Sequence, residues 1–339
     1  MTFPKFLAFA SVFLFATIGM LAFFKSNKSS PVIDVKMVST TLPTPIALER
    51  EIQIVQPPVV KVVETSVIAE RTSDMAASKK VQAIEKPLPE ADRILELFNK
   101  SEPRLPIVET IIYKSRVPWL KGRPAWLSDY ASYYGTSRHF IARSLNGSRD
   151  YLKQEVAEGD SFNVYRKDKN IQFYLLVDTS RCKMWFYVMD LDLNKRTLLK
   201  TYNVGLGRLN SERVSGLLTP LGKYALGNKV AIYRPKIEGI YNGQKVEMIR
   251  IFGTRWVPFE KEISDCTAPA KSLGFHGVPW VLNSGVLSED CSSIGKYESD
   301  GCIRLATEDV EEIFAILLAK PAVIELVRNF SDAKLPGTE

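Results

Sequence analysis

The stretch YLLVDTSRCKMWFYVM, residues 174–189, reads as a β-hairpin. Cys182, Met184, Phe186 and Val188 recur at every second position, the period that puts side chains on one face of a strand. Working outward, Tyr202 to Gly207 reads as another strand ending in glycine, with further strands in KVAIYRP (229–235) and MIRIFGT (248–254). The period changes near the C-terminus. Val310, Ile313, Phe314, Leu317 and Leu318 form one helical stripe. Thr307 is the candidate N-cap, and Glu308 and Asp309 sit in the first turn, where the helix dipole favours acids. Pro321 stops the helix, and AVIELV (322–327) reads as a buried strand. Many strands and one clear helix predict a mainly β fold, a β-sandwich with one packed C-terminal helix.

The chain has 339 residues, 45% hydrophobic and 10% aromatic, enough for about two domains with a proper core. Lys and Arg total 45 against 38 Asp and Glu, but the basic residues are scattered with no long run. That argues against nucleic acid as a partner. Residues 6–24, FLAFASVFLFATIGMLAFF, carry no charge and are long enough to cross a bilayer core. No A-x-A-like site is evident. The expectation is a transmembrane anchor at 1–25, with a cleaved signal sequence as the alternative. From Lys25 to Leu97 there is no aromatic residue, and seven prolines interrupt any period. Such a stretch cannot bury enough to offset its ordering entropy. Residues 26–90 read as a disordered tether with a random-coil span of roughly 45–50 Å. ADRILELFNK (91–100) is a candidate helix packed on the domain C-terminal to it.

The next stretch, WLSDYASYYGTSRHFIARSLNG (126–147), holds two helices. Leu127, Tyr130, Ala131 and Tyr134 have helical spacing, and Gly135 suits a left-handed stop. Ser137 is placed to cap a second helix carrying Phe140, Ile141 and Leu145. VAEGDSFNVY (156–165) ends as a short strand, and IIYKSR (111–116) is the candidate first strand. His139 reads as a solvated helix residue. Helix, Gly-Thr-Ser turn, helix, Asn and then G-x-x-F-x-V resemble the LysM module over 107–168. The resemblance implies a small α+β domain that binds glycan strands containing N-acetylglucosamine, with Gly135 and Thr136 as candidate contacts. The usual Gly-Asp turn before the first helix is missing.

KYESDGCIRLATEDVEEIF (296–314) poses a chemical question, because Cys302 sits among Ser299, Asp300 and Gly301. Buried structural cysteines keep apolar company, whereas reactive ones sit in polar, partly exposed places. A cysteine nucleophile needs a base. The chain has two histidines, and only His276, in LGFHGVPW (273–280), belongs to the strand-rich part. Cys302 and His276 are therefore the candidate nucleophile and base for acyl transfer through a thioester. Backbone N–H groups near Gly301 and Cys302 are candidate oxyanion donors.

TPLG (219–222), FHGV (275–278) and IGKYESDGCIRL (294–305) together resemble the YkuD-type L,D-transpeptidases over 171–330. The resemblance implies a β-sandwich that needs no cofactor or metal and acts on peptidoglycan stem peptides. It implies that Cys302 attacks the third stem residue, that D-Ala leaves, and that a neighbouring amine captures the acyl group in a 3–3 cross-link. His276 would shuttle the proton, oriented by the Gly277 carbonyl, while Ser299, Gly301 and Arg304 shape the site or bind a substrate carboxylate. Use of water as acceptor, an L,D-carboxypeptidase, and a non-catalytic peptidoglycan-binding protein are the alternatives. Substrate and anchor together imply a single-pass protein of the cytoplasmic membrane, its catalytic domain in the periplasm or wall space. Two departures stand out. Asp300 occupies a position where many members carry histidine, and it would either raise the Cys302 pKa or pair with His276. The interval from His276 to Cys302 is also long, and residues 281–293 read as a flap. Cys266 and Cys291 flank His276 and are candidates for a disulfide in an oxidising compartment. A zinc site from Cys266, His276, Cys291 and Cys302 lacks the paired C-x₂₋₄-C spacing.

Overall fold

The computed structural model describes residues 87–339. The expected membrane span at 6–24 and the tether up to residue 86 lie outside the described residues. No helix among those described is long and apolar enough to cross a membrane. The N-terminal part contains α1 (Leu95–Phe98), β1 (Val108–Ile112), α2 (Leu127–Tyr134), α3 (Arg138–Asn146) and β2 (Ser161–Tyr165). Next come β3 (Ile171–Asp178), β4 (Lys183–Asp190), β5 (Lys195–Asn203), β6 (Leu206–Gly207), β7 (Gly222–Leu226) and β8 (Ala231–Ile232). They are followed by β9 (Glu238–Tyr241), β10 (Gln244–Glu247), α4 (Ile249–Phe252), β11 (Arg255–Ser264) and β12 (Gly274–Gly277). The chain closes with β13 (Trp280–Asn283), β14 (Val286–Glu289), β15 (Tyr297–Ser299), β16 (Ile303–Leu305), α5 (Thr307–Leu317) and β17 (Ala322–Val327).

The main sheet has the order β16-β12-β11-β7-β17-β3-β4-β5, with β8 added to β11. β3 and β4 form the hairpin read from residues 174–189. The last strand is a central one: β17 runs parallel to β3 and antiparallel to β7, which explains why AVIELV is so apolar. One face of the hairpin, including Phe173, Leu175, Met184 and Phe186, shares a core with Val310, Ile313, Phe314 and Leu317 of α5. The opposite face, with Tyr174, Leu176, Trp185 and Tyr187, is covered by Leu88, Phe330 and Leu335. Residues 87–90 therefore do not behave as tether. Trp185 Nε1 donates to the Pro89 carbonyl at 2.7 Å, and Lys183 pairs with Glu90 at 2.5 Å. Both ends of the described chain also cover the β5 edge, where Thr201 N donates to Ala91 O and Arg196 N to Thr338 O. A bare edge would invite pairing with other chains.

In the N-terminal part, β1 pairs antiparallel with β2 and carries α2 and α3 between them. Gly135 ends α2 in the left-handed conformation, and Ser137 Oγ caps α3 by accepting from Phe140 N at 3.0 Å. β1 lies upstream of the expected IIYKSR, because Tyr113 turns inward and donates to the Ala125 carbonyl at 2.6 Å. This part packs tightly on the sheet domain. Phe140 and Tyr165 belong to the same core as α5. Ser137 Oγ donates to Ala315 O at 2.6 Å, and Tyr165 OH donates to Ile316 O at 2.7 Å. That contact explains why α5 buries Glu311, Ala315 and Ile316 as well as its expected stripe. It also removes His139 from solvent: the ring is 5% exposed, lies against Phe314, and accepts from Tyr151 N at 3.2 Å.

Three further expectations need correction. MIRIFGT forms the helix α4, not a strand, with Ile249 buried and Phe252 turned toward Trp256. A short apolar run cannot be assigned by period alone. KVAIYRP pairs only at Ala231–Ile232. Thr307 does not cap α5. Its N–H donates to the Glu289 carboxylate at 3.0 Å, and its hydroxyl accepts from Trp280 Nε1 at 3.3 Å. The β13–β14 hairpin thus supplies the cap from a distance, and the expected flap over 281–293 is pinned at its base.

Candidate active site

The site lies near one edge of the sheet, where β12 and β16 run parallel. His276 is opposite Arg304 in their register, and Trp256 of β11 is opposite His276 on the other side. Cys302 immediately precedes β16. Residues two apart on a strand share a face, so this register brings Cys302 diagonally toward His276.

The turn before Cys302 is held by two hydroxyls. Ser299, 2% exposed, donates to the Cys302 carbonyl at 2.6 Å and accepts from Gly301 N at 3.2 Å. Thr219 accepts from Gly207 N at 2.7 Å and donates to the Gly301 carbonyl at 3.0 Å. Gly301 has φ +120°, a conformation that side-chain-bearing residues rarely adopt, and a Cβ there would press on Leu218 O at 3.0 Å. The glycine is thus required by the turn. Of the two expected oxyanion donors, Gly301 N–H is already committed to Ser299. The Cys302 N–H lies outside the strand ladder and has no partner among the turn and loop bonds.

His276 is 4% exposed, and its Nδ1 lies 2.7 Å from the Gly277 carbonyl. A carbonyl can only accept, so Nδ1 carries the hydrogen and Nε2 is left as the basic nitrogen. Phe252 meets the ring edge-on at 87°, and Trp256 lies over it at 32°. Burial pushes the His276 pKa down to about 4; the Gly277 carbonyl opposes this, while the Arg304 charge adds to it. Burial pushes the Cys302 thiol up to about 11, against the Gly274 backbone and Arg304, with Asp300 adding to the rise. Sγ faces the Ser272 carbonyl at 3.8 Å. The resting pair is therefore a neutral thiol and a neutral imidazole. Proton transfer must accompany attack on a bound electrophile, as in Ser–His pairs. The expected acylation rate of Cys302 is flat through pH 6–7 and falls only as the pH drops toward about 4, where His276 protonates. An acylation profile from pH 3.5 to 9 with a midpoint between 6 and 7 would contradict this environment.

Asp300 does not pair with His276: it accepts from the guanidinium of Arg208. Arg304 is tied by its backbone to Gly205, and its Nε is buried without a partner. Gly135 and Thr136 are elsewhere. Thr136 is 3% exposed, and its hydroxyl accepts from Tyr165 N at 2.8 Å, so it is closed to a glycan; a Cβ on Gly135 would meet Lys320 at 3.4 Å. Sequence reasoning gave no role to Thr219, Phe252, Trp256 or Arg208. Thr219 had a signal, as the first residue of TPLG, whereas the other three reach the site only through strand pairing and loop packing. All four cysteines are free, Cys266 and Cys291 included. Alkylation of the unfolded, unreduced protein is expected to label four thiols; two would restore the disulfide. No group of three or more His, Cys, Asp or Glu side chains among the described residues is placed to hold a metal ion.

Residues 172–325 match the family model YkuD, L,D-transpeptidase catalytic domain. No curated protein sequence matches the chain. Among solved structures it is similar to Bd1075 of Bdellovibrio bacteriovorus at 14% identity, over 48% of this chain and 50% of that one, with a TM-score of 0.32. It is also similar to the helical cell shape determining protein Pgp2 of Campylobacter jejuni at 16% identity, over 50% of each chain, with a TM-score of 0.31. The chain thus spans half the length of these structures.

Proposed function

We propose that this protein is an L,D-transpeptidase that rearranges peptidoglycan stem peptides. One observation carries the reading: in the segment that matches the L,D-transpeptidase catalytic-domain model, His276 lies on β12 and Cys302 directly precedes β16, the parallel strand paired with it. Cys302 Sγ attacks the carbonyl of the third stem residue as its proton passes to His276 Nε2. The Cys302 N–H faces the developing oxyanion. The C–N bond breaks, the imidazolium returns the proton to the leaving D-Ala amine, and a thioester remains. The amine of a neighbouring stem then attacks, His276 takes its proton, and the C–S bond breaks. The product is a 3–3 cross-link, and the thiol is regenerated. No redox partner or cofactor enters the balance.

The location belongs to the same proposal. The substrate lies outside the cytoplasmic membrane, so residues 6–24 serve as the anchor and the described domains face the periplasm or wall. Glycan strands are the expected second contact of the N-terminal unit, through surfaces other than Thr136. The test is mass analysis after incubation with disaccharide-tetrapeptides. Joined species with loss of one D-Ala per link support cross-linking. Tripeptide alone assigns water as the acceptor, an L,D-carboxypeptidase. Unchanged tetrapeptide with folded protein rejects the reading.

A further inference from the structure

Asp300 carries a carboxylate two residues from Cys302 that the thiol and imidazole do not use. It is held by Arg208, and the position of Arg208 is built into the backbone. Its N–H donates to Ser299 O, and its carbonyl accepts from Leu218 N, both at 2.9 Å. The residue is thereby fixed between the loop that carries Cys302 and the segment that leads to Thr219, with its side chain beside Asp300. Both members of the pair are open to solvent, at 61% and 65% exposure. An ion pair this exposed is weak and easily exchanged. Arg208 can therefore exchange its one exposed carboxylate partner for another anion while its backbone stays fixed. The Arg304 charge is felt by both the thiol and His276.

We propose that Arg208 is a specificity-determining residue: it binds a free carboxylate of the substrate beside Cys302, and Asp300 takes that carboxylate's place when no substrate is bound. This rests on the stem-peptide reading above. The departing D-residue of a tetrapeptide ends in a free carboxylate, one residue from the bond being broken. Asp300 and Cys302 are at most about 7 Å apart along the chain, so the two carboxylates fall within the same reach. Exchange keeps the charge of the cleft constant, since Asp300 is released to water as the substrate anion enters. A planar guanidinium accommodates a carboxylate in two-point fashion, which a lysine cannot reproduce.

The test compares kcat/KM for a stem tetrapeptide and for its C-terminal amide, in the full-length protein and in Arg208→Ala, Arg208→Lys and Asp300→Asn. The parent protein is expected to prefer the free acid. Arg208→Ala should lose about tenfold to thirtyfold on the acid, mostly in KM, and stay within threefold on the amide. Arg208→Lys should recover part of the loss. Asp300→Asn should widen the preference, because the internal competitor is gone. Equal losses on both substrates in Arg208→Ala would make Arg208 a loop support and overturn the proposal. So would an unchanged acid-to-amide ratio in all three variants. If the parent protein releases nothing from either peptide, the stem-peptide reading fails first and takes this one with it.

Discussion

Under the proposed function, Cys302→Ala is expected to abolish D-Ala release and thioester formation, with a loss of at least about 10⁴-fold. The sulfur is the nucleophile of the proposed reaction, and removing it leaves His276, Ser299 and Thr219 in place. The fold should survive, because the lost group makes only weak sulfur contacts, with the Ser272 carbonyl at 3.8 Å and with the Gly274 backbone. Such a change costs about 1 kcal/mol or less. The clean readout is intact mass after exposure to a carbapenem, which acylates cysteines of the family the domain resembles. One adduct is expected, mapping to Cys302 and absent from Cys302→Ala. Cys182, Cys266 and Cys291 remain as free thiols in both proteins and serve as internal controls. Cys291 is the exposed one, yet partial burial, together with the Glu289 carboxylate beside it, raises its pKa. An adduct on Cys291, or turnover above about 1% in the variant, would remove Cys302 as nucleophile.

The largest effect on stability is expected from Asp150→Ala. Arg255 is 2% exposed, and its guanidinium meets Asp150 at 2.5 Å and Glu311 at 3.4 Å, with Nε already unpartnered. Asp150 also lies 3.4 Å from His139 Nδ1. Removing it leaves a buried cation short of its closest anion. Breaking one side of a buried pair costs about 3–5 kcal/mol, against about 0–1 kcal/mol for an exposed pair such as Arg208–Asp300. For a domain this size that corresponds to a fall in Tm of roughly 6–20 °C. Thermal unfolding followed by circular dichroism reads it directly. A fall below about 2 °C would mean that water or Glu311 compensates fully. Activity should drop with it, since Arg255 directly precedes Trp256, which lies over the His276 ring.

Much of this architecture is legible in local pattern. The alternation in 174–189 gives the hairpin, the stripe from Val310 to Leu317 gives the helix, and Gly135 and Ser137 end and begin the helices they should. Ser299-Asp300-Gly301-Cys302 announces a polar, tightly turned cysteine, and the turn indeed depends on Gly301. What was not legible depends on contacts distant in sequence. His139 looks like a surface residue until α3 is laid on α5. Thr307 looks like a cap until Glu289 arrives from the β13–β14 hairpin. Asp300 looks like a partner for His276 until Arg208 comes in from the other side of the turn. Four-residue elements such as α4 carry too few positions for either period to declare itself.

The order of strands has a mechanical consequence. The chain enters over β4 and β5, held to β4 through Pro89 and Glu90 and to β5 through Ala91 and Arg93, while Cys302 and His276 lie by β16 and β12 at the far edge. Seven strand spacings of about 4.8 Å separate the two edges, roughly 34 Å along the sheet. A pull on the chain upstream of residue 87 is taken first by those contacts and then spread through the ladders of β5, β4 and β3. Such a pull would loosen the grip of residues 88–93 on β4 and β5 before the cysteine and histidine moved apart.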